Sequence, residues 1–376
     1  MSQSNKLFKV LDEYIYFDTA QESQEYAKNN PGKVIIRNTE VVDKEVQKPN
    51  YKQEPMMEKT PSMILDYLNQ HIISQDEAKK EIALAIYYHS LKLEHALNDD
   101  MLTNAPIMMV GPTGSGKTFI VQKACEFADV LFLHVDAASM VPEGIKGYSV
   151  STLIQDVISL AGGSIYKASN AVVFLDEIDK LFIQEDSELN YGAKVASQLL
   201  RLLEGAMFAM EDSNYQVSTN FSAKYVQFIL GGAFQPILDK KQEKKSVMGF
   251  ATKPTKRYKQ KITLEDLYST NVPKELLGRM GAVVNLHPLN KEDYYKILTQ
   301  SESSPLKEFI NRVEFHGDTV DIDEHTLYEV AQYASKSKLG VRAIKQALKS
   351  MFSDALFYAA DGEHKTHKIT FKEDIL

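Results

Sequence analysis

Cysteine occurs once in this sequence, at Cys125. One thiol excludes an intrachain disulfide and any zinc site built on a cluster of thiolates. The first thirty residues hold no apolar signal-peptide core. No apolar run reaches the roughly 20 residues that a membrane-spanning helix needs. Basic charge is also short, since 43 Lys and Arg against 51 Asp and Glu leave a net charge of -8. A dedicated duplex-DNA binder carries the opposite balance, so nucleic acid is not the expected partner. What is present is ordinary for a globular chain, 44% apolar and 25% charged, which excludes wholesale disorder. At 376 residues the length points to two or three domains. The absences together predict a soluble, cytoplasmic, multidomain protein.

Residues 1–40 read as a small N-terminal β-α-β unit. A strand at Tyr14–Phe17 and a helix at Ala20–Ala27 lead through Asn30-Pro31-Gly32 to a strand at Val34–Arg37. A unit of about forty residues rarely holds itself together, so it is expected to dock or self-associate. Residues 41–60 are polar, with Pro49 and Pro55, and read as a linker. A long helix is expected from Ser74, where Ser74 and Glu77 would form a capping box and Ile73 and Ala78 a hydrophobic staple. Five short apolar runs follow, alternating with helical segments: Ile107–Val110, Leu131–Val135, Val172–Leu175, Val226–Leu230 and Val283–Leu286. Runs apolar on both faces argue for a parallel five-stranded sheet in an α/β fold. After Pro288 the pattern turns helical, with a closing strand at Lys368–Phe371. The expected division is a large domain over 61–289 and a small, mainly helical one over 290–376.

Between the first apolar run and a helix lies Gly111-Pro112-Thr113-Gly114-Ser115-Gly116-Lys117-Thr118, a full Walker A sequence. Its glycines let backbone N–H groups turn inward around phosphates, and the following helix N-terminus adds favourable partial charge. Lys117 is positioned to reach the β- and γ-phosphates of ATP, and Thr118 to ligate Mg²⁺. The third run ends in Asp176 and Glu177. Ligands of open α/β sheets sit at the carboxyl ends of strands. Asp176 is therefore read as a second metal ligand and Glu177 as the residue that orients the attacking water. That pair separates hydrolysis from binding alone.

With these residues in hand, the sequence resembles the ClpX family of AAA+ unfoldases, and more distantly HslU. The resemblance rests on Gly111–Thr118, on Leu175-Asp-Glu-Ile-Asp-Lys180 and on Gly231-Gly-Ala-Phe234. Ser74-Gln75-Asp-Glu-Ala-Lys-Lys80, Glu275-Leu-Leu-Gly-Arg279 and Gly340-Val-Arg342 complete it. It covers about residues 60–360. It implies a P-loop AAA+ core with a helical lid, a homo-hexameric ring, and ATP hydrolysis that pulls protein substrates through a pore. It also implies Ile72 and Ile73 at the adenine, Arg279 as the finger supplied to a neighbouring subunit, and Arg342 as the lid arginine that senses nucleotide. A helix staple and core role for Ile72 and Ile73 is equally compatible with the sequence.

Gly147-Tyr148 matches the start of the family's Gly-Tyr-Val-Gly pore loop, which makes Tyr148 the expected substrate grip. The competing reading is a tyrosine packed at the loop base. Residues 184–191 match the second pore loop in position only, and the basic pore-entrance loop expected between Glu204 and Tyr225 is absent. The family's N-terminal zinc domain cannot be built from one cysteine. No polar sensor-1 side chain stands in Gly231–Phe234, which leaves Gln235 as the candidate. Met248-Gly249-Phe250 resembles the loop by which ClpX docks on the ClpP peptidase, inside a tract, 240–261, with nine basic residues and one acid, Glu243. The resemblance thus admits a ClpP-like peptidase as partner. The alternatives left open are a stand-alone remodelling ATPase and a nucleic-acid-stimulated AAA+ ATPase.

Overall fold

The computed structural model describes residues 6–10, 13–17, 34–35, 59–95, 105–182, 191–212, 217–239, 261–337, 339–362 and 365–371. Two compact units divide the chain, Met1–Glu58 and Lys59–Leu376. In the first, β1 (Lys6–Val10) pairs antiparallel with both β2 (Glu13–Phe17) and β3 (Val34–Ile35). β2 and β3 therefore run parallel, as a β-α-β unit requires, but they are not neighbours. β1 stands between them, a strand that the sequence reading left unassigned because two lysines break its apolar character. The helix expected over 20–27 and the linker up to residue 58 lie outside the described residues.

The second unit is built on β4 (Ile107–Val110), β5 (Phe132–Asp136), β6 (Val172–Asp176), β9 (Gln227–Gly232) and β10 (Ala282–Asn285). They form one parallel sheet in the order β10-β4-β9-β6-β5. Side chains alternate between its faces. Met108, Val110, Val173, Leu175, Phe228 and Leu230 enter a core shared with the helices Val150–Leu160 and Tyr191–Leu203. Ile107, Met109, Val172, Phe174 and Ile229 enter the opposite core, under the helices Pro61–His71, Asp76–His95 and Lys117–Ala128. Cover on both faces is why these strands read as unbroken apolar runs. The order also decides where chemistry can occur. β9 lies between β4 and β6, so the loop after β4 and the acids that end β6 flank the end of one strand.

Between β6 and β9 in the chain lies the antiparallel hairpin of β7 (Met207–Asp212) and β8 (Val217–Ser222). The sequence reading found no basic pore-entrance loop in that stretch and assigned no strand to it. Residues 294–369 form an apolar cluster of their own, in which the Phe309 and Phe352 rings lie 5.5 Å apart. Five helices supply it, Lys291–Thr299, Pro305–Glu314, Glu324–Lys336, Val341–Met351 and Ser353–Ala360. β11 (Thr319–Ile322) and β12 (Thr366–Ile369) add a parallel pair. The closing strand thus begins two residues earlier than expected, because its register is set by β11, which has too little apolar content to be read alone. Among the described residues no helix is long and apolar enough to cross a membrane.

The long helix begins at Asp76, not Ser74. Ser74 and Gln75 both adopt left-handed backbone, with φ of 65° and 61°, so the expected capping box is not made. The Ser74 hydroxyl meets His287 Nε2 at 3.3 Å instead.

Phe174 is fully buried in the interior strand β6. Replacing it with alanine is expected to lower stability by about 3–5 kcal/mol, the usual result of emptying a packed aromatic site. Urea unfolding of Phe174→Ala beside the wild type measures this; a loss below about 1 kcal/mol would mean that the sheet face collapses onto the gap.

Candidate nucleotide-binding site

The loop after β4 enters the P-loop helix through Gly116, whose φ of 97° suits glycine alone. Lys117, the first residue of that helix, is 8% exposed and folds back on its own loop. Its Nζ donates to Gly111 O at 2.8 Å and to Pro112 O at 3.3 Å. Burial pushes its ammonium below the ordinary lysine value. The acids Asp176, Asp179 and Glu177 oppose that shift, and Arg342 adds to it. A desolvated cation held only by two neutral carbonyls gains from an anion that replaces them.

Across the sheet, Thr118 Oγ1 donates to Asp176 Oδ2 at 3.1 Å. Burial alone would raise the Asp176 carboxyl. His134, the Glu177 N–H, Lys117 and Thr118 outweigh it and hold the group below its usual range. Glu177 has a φ of 58°, a left-handed turn that lifts it off the strand end, and its Oε1 pairs with Lys180 Nζ at 2.8 Å. Asp179 Oδ2 accepts from the Phe234 N–H at 3.0 Å, tying the turn after β6 to the end of β9. Gly231 and Gly232 complete that junction. A Cβ on Gly231 would stand 2.6 Å from the Phe174 ring and 2.9 Å from Asp176 Oδ1.

A cavity of about 270 Å³ gathers Lys117, Thr118, Asp176 and Glu177 on one side, and Val341, Arg342 and Lys345 on the other. The helix Val341–Met351 thus closes over the phosphate loop. Its first turn is set by direct backbone contact. A Cβ on Gly114 would lie 2.7 Å from Leu339 O, and one on Gly340 would lie 2.8 Å from Gly114 Cα. Gly340 itself has φ 62° and ψ -137°, a conformation essentially reserved for glycine.

Gln75 is a site residue that sequence reasoning missed. It is 2% exposed. Its Nε2 donates to His287 O at 2.6 Å and to Ser115 O at 3.3 Å, while its Oε1 accepts from His287 N–H at 3.1 Å. One amide thereby fastens the phosphate loop to the segment that leaves β10. Two consecutive left-handed residues cost about 1–3 kcal/mol each. Three buried hydrogen bonds return about 1 kcal/mol apiece, so the clasp roughly breaks even. Its position between Ser74 and Asp76 gave no signal of its own, and a capping-box reading absorbed the segment.

Other expected site residues lie elsewhere. Ile72 is buried in the core beneath the P-loop helix and Ile73 is half-buried; neither lines the cavity. Arg279 is outside it too, exposed and paired with Glu204. Gln235 is exposed, donates to Asp239 Oδ1 at 2.7 Å and does not line the cavity, whose wall Ala233 joins instead. Tyr148 packs against the core, and its hydroxyl donates to Asp156 Oδ2 at 2.8 Å. Burial, then that bond, pushes its phenol up. The exposed tip of the loop is Gly144-Ile145-Lys146-Gly147, with Ile145 44% exposed. Met248, Gly249 and Phe250 fall outside the described residues, as do 183–190.

The glycine-on-glycine contact gives a direct test. Gly340→Ala introduces about 1–3 kcal/mol of backbone strain and a clash with Gly114. Titration with a fluorescent ATP analogue is expected to show affinity weakened roughly tenfold. Wild-type affinity would show that the lid need not touch the loop.

Comparison with known proteins agrees with this geometry. Residues 103–283 match the AAA domain family (Cdc48 subfamily). The chain is 29% identical over 318 residues to the ATP-dependent Clp protease ATP-binding subunit ClpX 2 of Wolinella succinogenes, covering 81% of this chain and 79% of that one. It is 28% identical over 329 residues to the corresponding ClpX of Bacteroides fragilis, covering 82% and 79%. ClpX of Bacteroides thetaiotaomicron matches at 28% over 82% of this chain and 80% of its own. The likeness to ClpX covers 81% of this chain, so the similarity runs beyond the matched AAA region into the helices that follow it.

Proposed function

We propose that this ATPase is a protein unfoldase, working as a homo-hexameric ring that draws polypeptide through its pore. The observation that carries the reading is the division of the site. Lys117, Thr118, Asp176, Glu177 and Arg342 line or face one cleft, whereas Arg279 stands exposed outside it. A finger that cannot reach its own cleft suits delivery to a neighbour, so turnover would require assembly.

The residues divide the work as follows. Lys117 exchanges the Gly111 and Pro112 carbonyls for β- and γ-phosphate oxygens. Thr118 and Asp176 would hold Mg²⁺, whose charge offsets that of the phosphates. The fit is good, because a hydroxyl and an ionised carboxylate 3.1 Å apart are hard oxygen donors of the kind Mg²⁺ takes alongside its own waters. Glu177, steadied by Lys180, orients the attacking water. Arg342, on the lid helix, answers to the phosphates and so links the lid's position to the state of the nucleotide.

Grip on substrate belongs to Ile145 rather than Tyr148. The flanking Gly144 and Gly147 both have positive φ, which leaves the tip on a hinge with an exposed apolar side chain. Tyr148 is bound at the loop's base. The names of the relatives include a Clp protease, and on that basis Met248-Gly249-Phe250 serves as dock for a ClpP-like peptidase.

Two outcomes test this reading. Glu177→Gln is expected to bind ATP with near wild-type affinity while turnover drops about a hundredfold or more, the usual effect of removing a positioned base; normal turnover would overturn the assignment. Ile145→Ala is expected to slow unfolding of a tagged folded protein several-fold more than it slows ATP hydrolysis. Tyr148→Ala should instead lower thermal stability. The reverse pattern would return the grip to Tyr148.

A further inference from the structure

The lid helix carries a second cation into the cleft. Lys345 lies three residues beyond Arg342, hence on the same helical face, and both line the cavity opposite Lys117. The helix cannot roll them away, because Ala343, Ile344, Ala347 and Leu348 on its other side are buried in the core of the small helical cluster. Neither Arg342 nor Lys345 forms a salt bridge among the described residues, although Lys123, Lys180 and Arg312 each do. Asp176 holds Thr118 and His134, and Glu177 holds Lys180. Asp179 takes the Phe234 N–H through Oδ2 while its buried Oδ1 has no hydrogen-bond partner among the described residues, and none of the three acids forms a salt bridge with either lid cation.

Two like charges on one face of a helix repel each other. Both sit near an N-terminus whose first turn contains no acid, and where the helix dipole already disfavours cations. The arrangement is unfavourable to the helix by itself and is relieved by a polyanion laid along it. The cleft's other wall is a phosphate loop, which identifies the chemistry of that polyanion as a nucleotide phosphate chain.

We propose that Lys345 is a second lid cation for the nucleotide phosphates, acting beside Arg342 and making closure of the lid depend on the number of phosphates. The proposal rests on the reading of this cleft as the nucleotide site. A longer phosphate chain meets both cations and a shorter one meets fewer, so Lys345 favours ATP over ADP. It is a positioning and specificity residue; the hydrolytic step belongs to Glu177.

The test is binding of fluorescently labelled ATP and ADP to the full chain at low and high salt. The proteins compared are wild type, Lys345→Ala, Lys345→Arg, Lys345→Glu and Lys117→Ala. Lys345→Ala is expected to weaken ATP about tenfold, as loss of a charge-assisted contact does, and ADP by less. Its salt dependence should become shallower, Lys345→Glu should be weaker still, and Lys345→Arg should bind as wild type. Lys345 is exposed, so its three variants should melt at the wild-type temperature. Unchanged ATP affinity in Lys345→Ala, or equal weakening of ATP and ADP, overturns the proposal provided Lys117→Ala has lost binding. If Lys117→Ala also binds normally, the nucleotide reading of the cleft fails first.

Discussion

Where the phosphate loop meets the turn at Leu339–Gly340, there is no room for a methyl group on either backbone. A Cβ on Gly114 or on Gly340 would come within 2.8 Å of the opposing chain. That contact fixes the start of the lid helix against the loop, and so fixes which lid side chains share a cavity with Lys117. It is a contact of shape, with no charge to screen, so it is insensitive to salt. Backbone touching backbone is also stiff.

The electrostatics of the cleft build on that geometry. Lys117 is largely desolvated and rests on two neutral carbonyls, an arrangement with less stabilisation than an ammonium can obtain from phosphate. Asp176 is kept ionised against its own burial by four neighbours. The site is therefore held charged in advance on both sides, a cation awaiting phosphate and a carboxylate suited to a metal. The Gln75 clasp supports this from behind. It holds Ser115 and His287 together through one buried amide, so the loop cannot relax away from the strand end to solvate its lysine.

The fold was legible in the sequence wherever one physical cause dominated. The interior strands β4, β6 and β9 are buried along their length, so each left a short apolar run, while the edge strands β5 and β10 are only partly covered. The phosphate loop was legible because its glycines answer to backbone geometry alone. Legibility failed where two causes produce the same letters. Ser74 and Glu77 stand at capping-box spacing, yet the backbone there turns left-handed because Gln75 reaches two distant carbonyls, partners that no local pattern reveals. β1, β7, β8 and β11 are short or polar and owe their existence to a pairing partner. Tyr148 follows a glycine as a gripping aromatic would, but Asp156, nearly two turns into the next helix, captures its hydroxyl. Three residues earlier, Ile145 has no such partner and stays at the tip.

On the proposed ring, Arg279 would be a residue for a neighbour that is kept in good order within one chain. Its pairing with Glu204 is exposed on both sides. Such surface ion pairs contribute about 0–1 kcal/mol, so the guanidinium is oriented without being trapped. An arginine finger at a phosphoryl transition state contributes a factor of about 10³–10⁵ in rate, several times that energy. On the ring reading, a neighbour's nucleotide would therefore outcompete Glu204 easily, while an isolated subunit would keep the arginine solvated and harmless. A buried partner would reverse the balance, because breaking a buried pair costs about 3–5 kcal/mol and would tax every turnover. On that reading, the exposure of the Arg279–Glu204 pair is the property that would let one side chain serve both the free and the assembled chain.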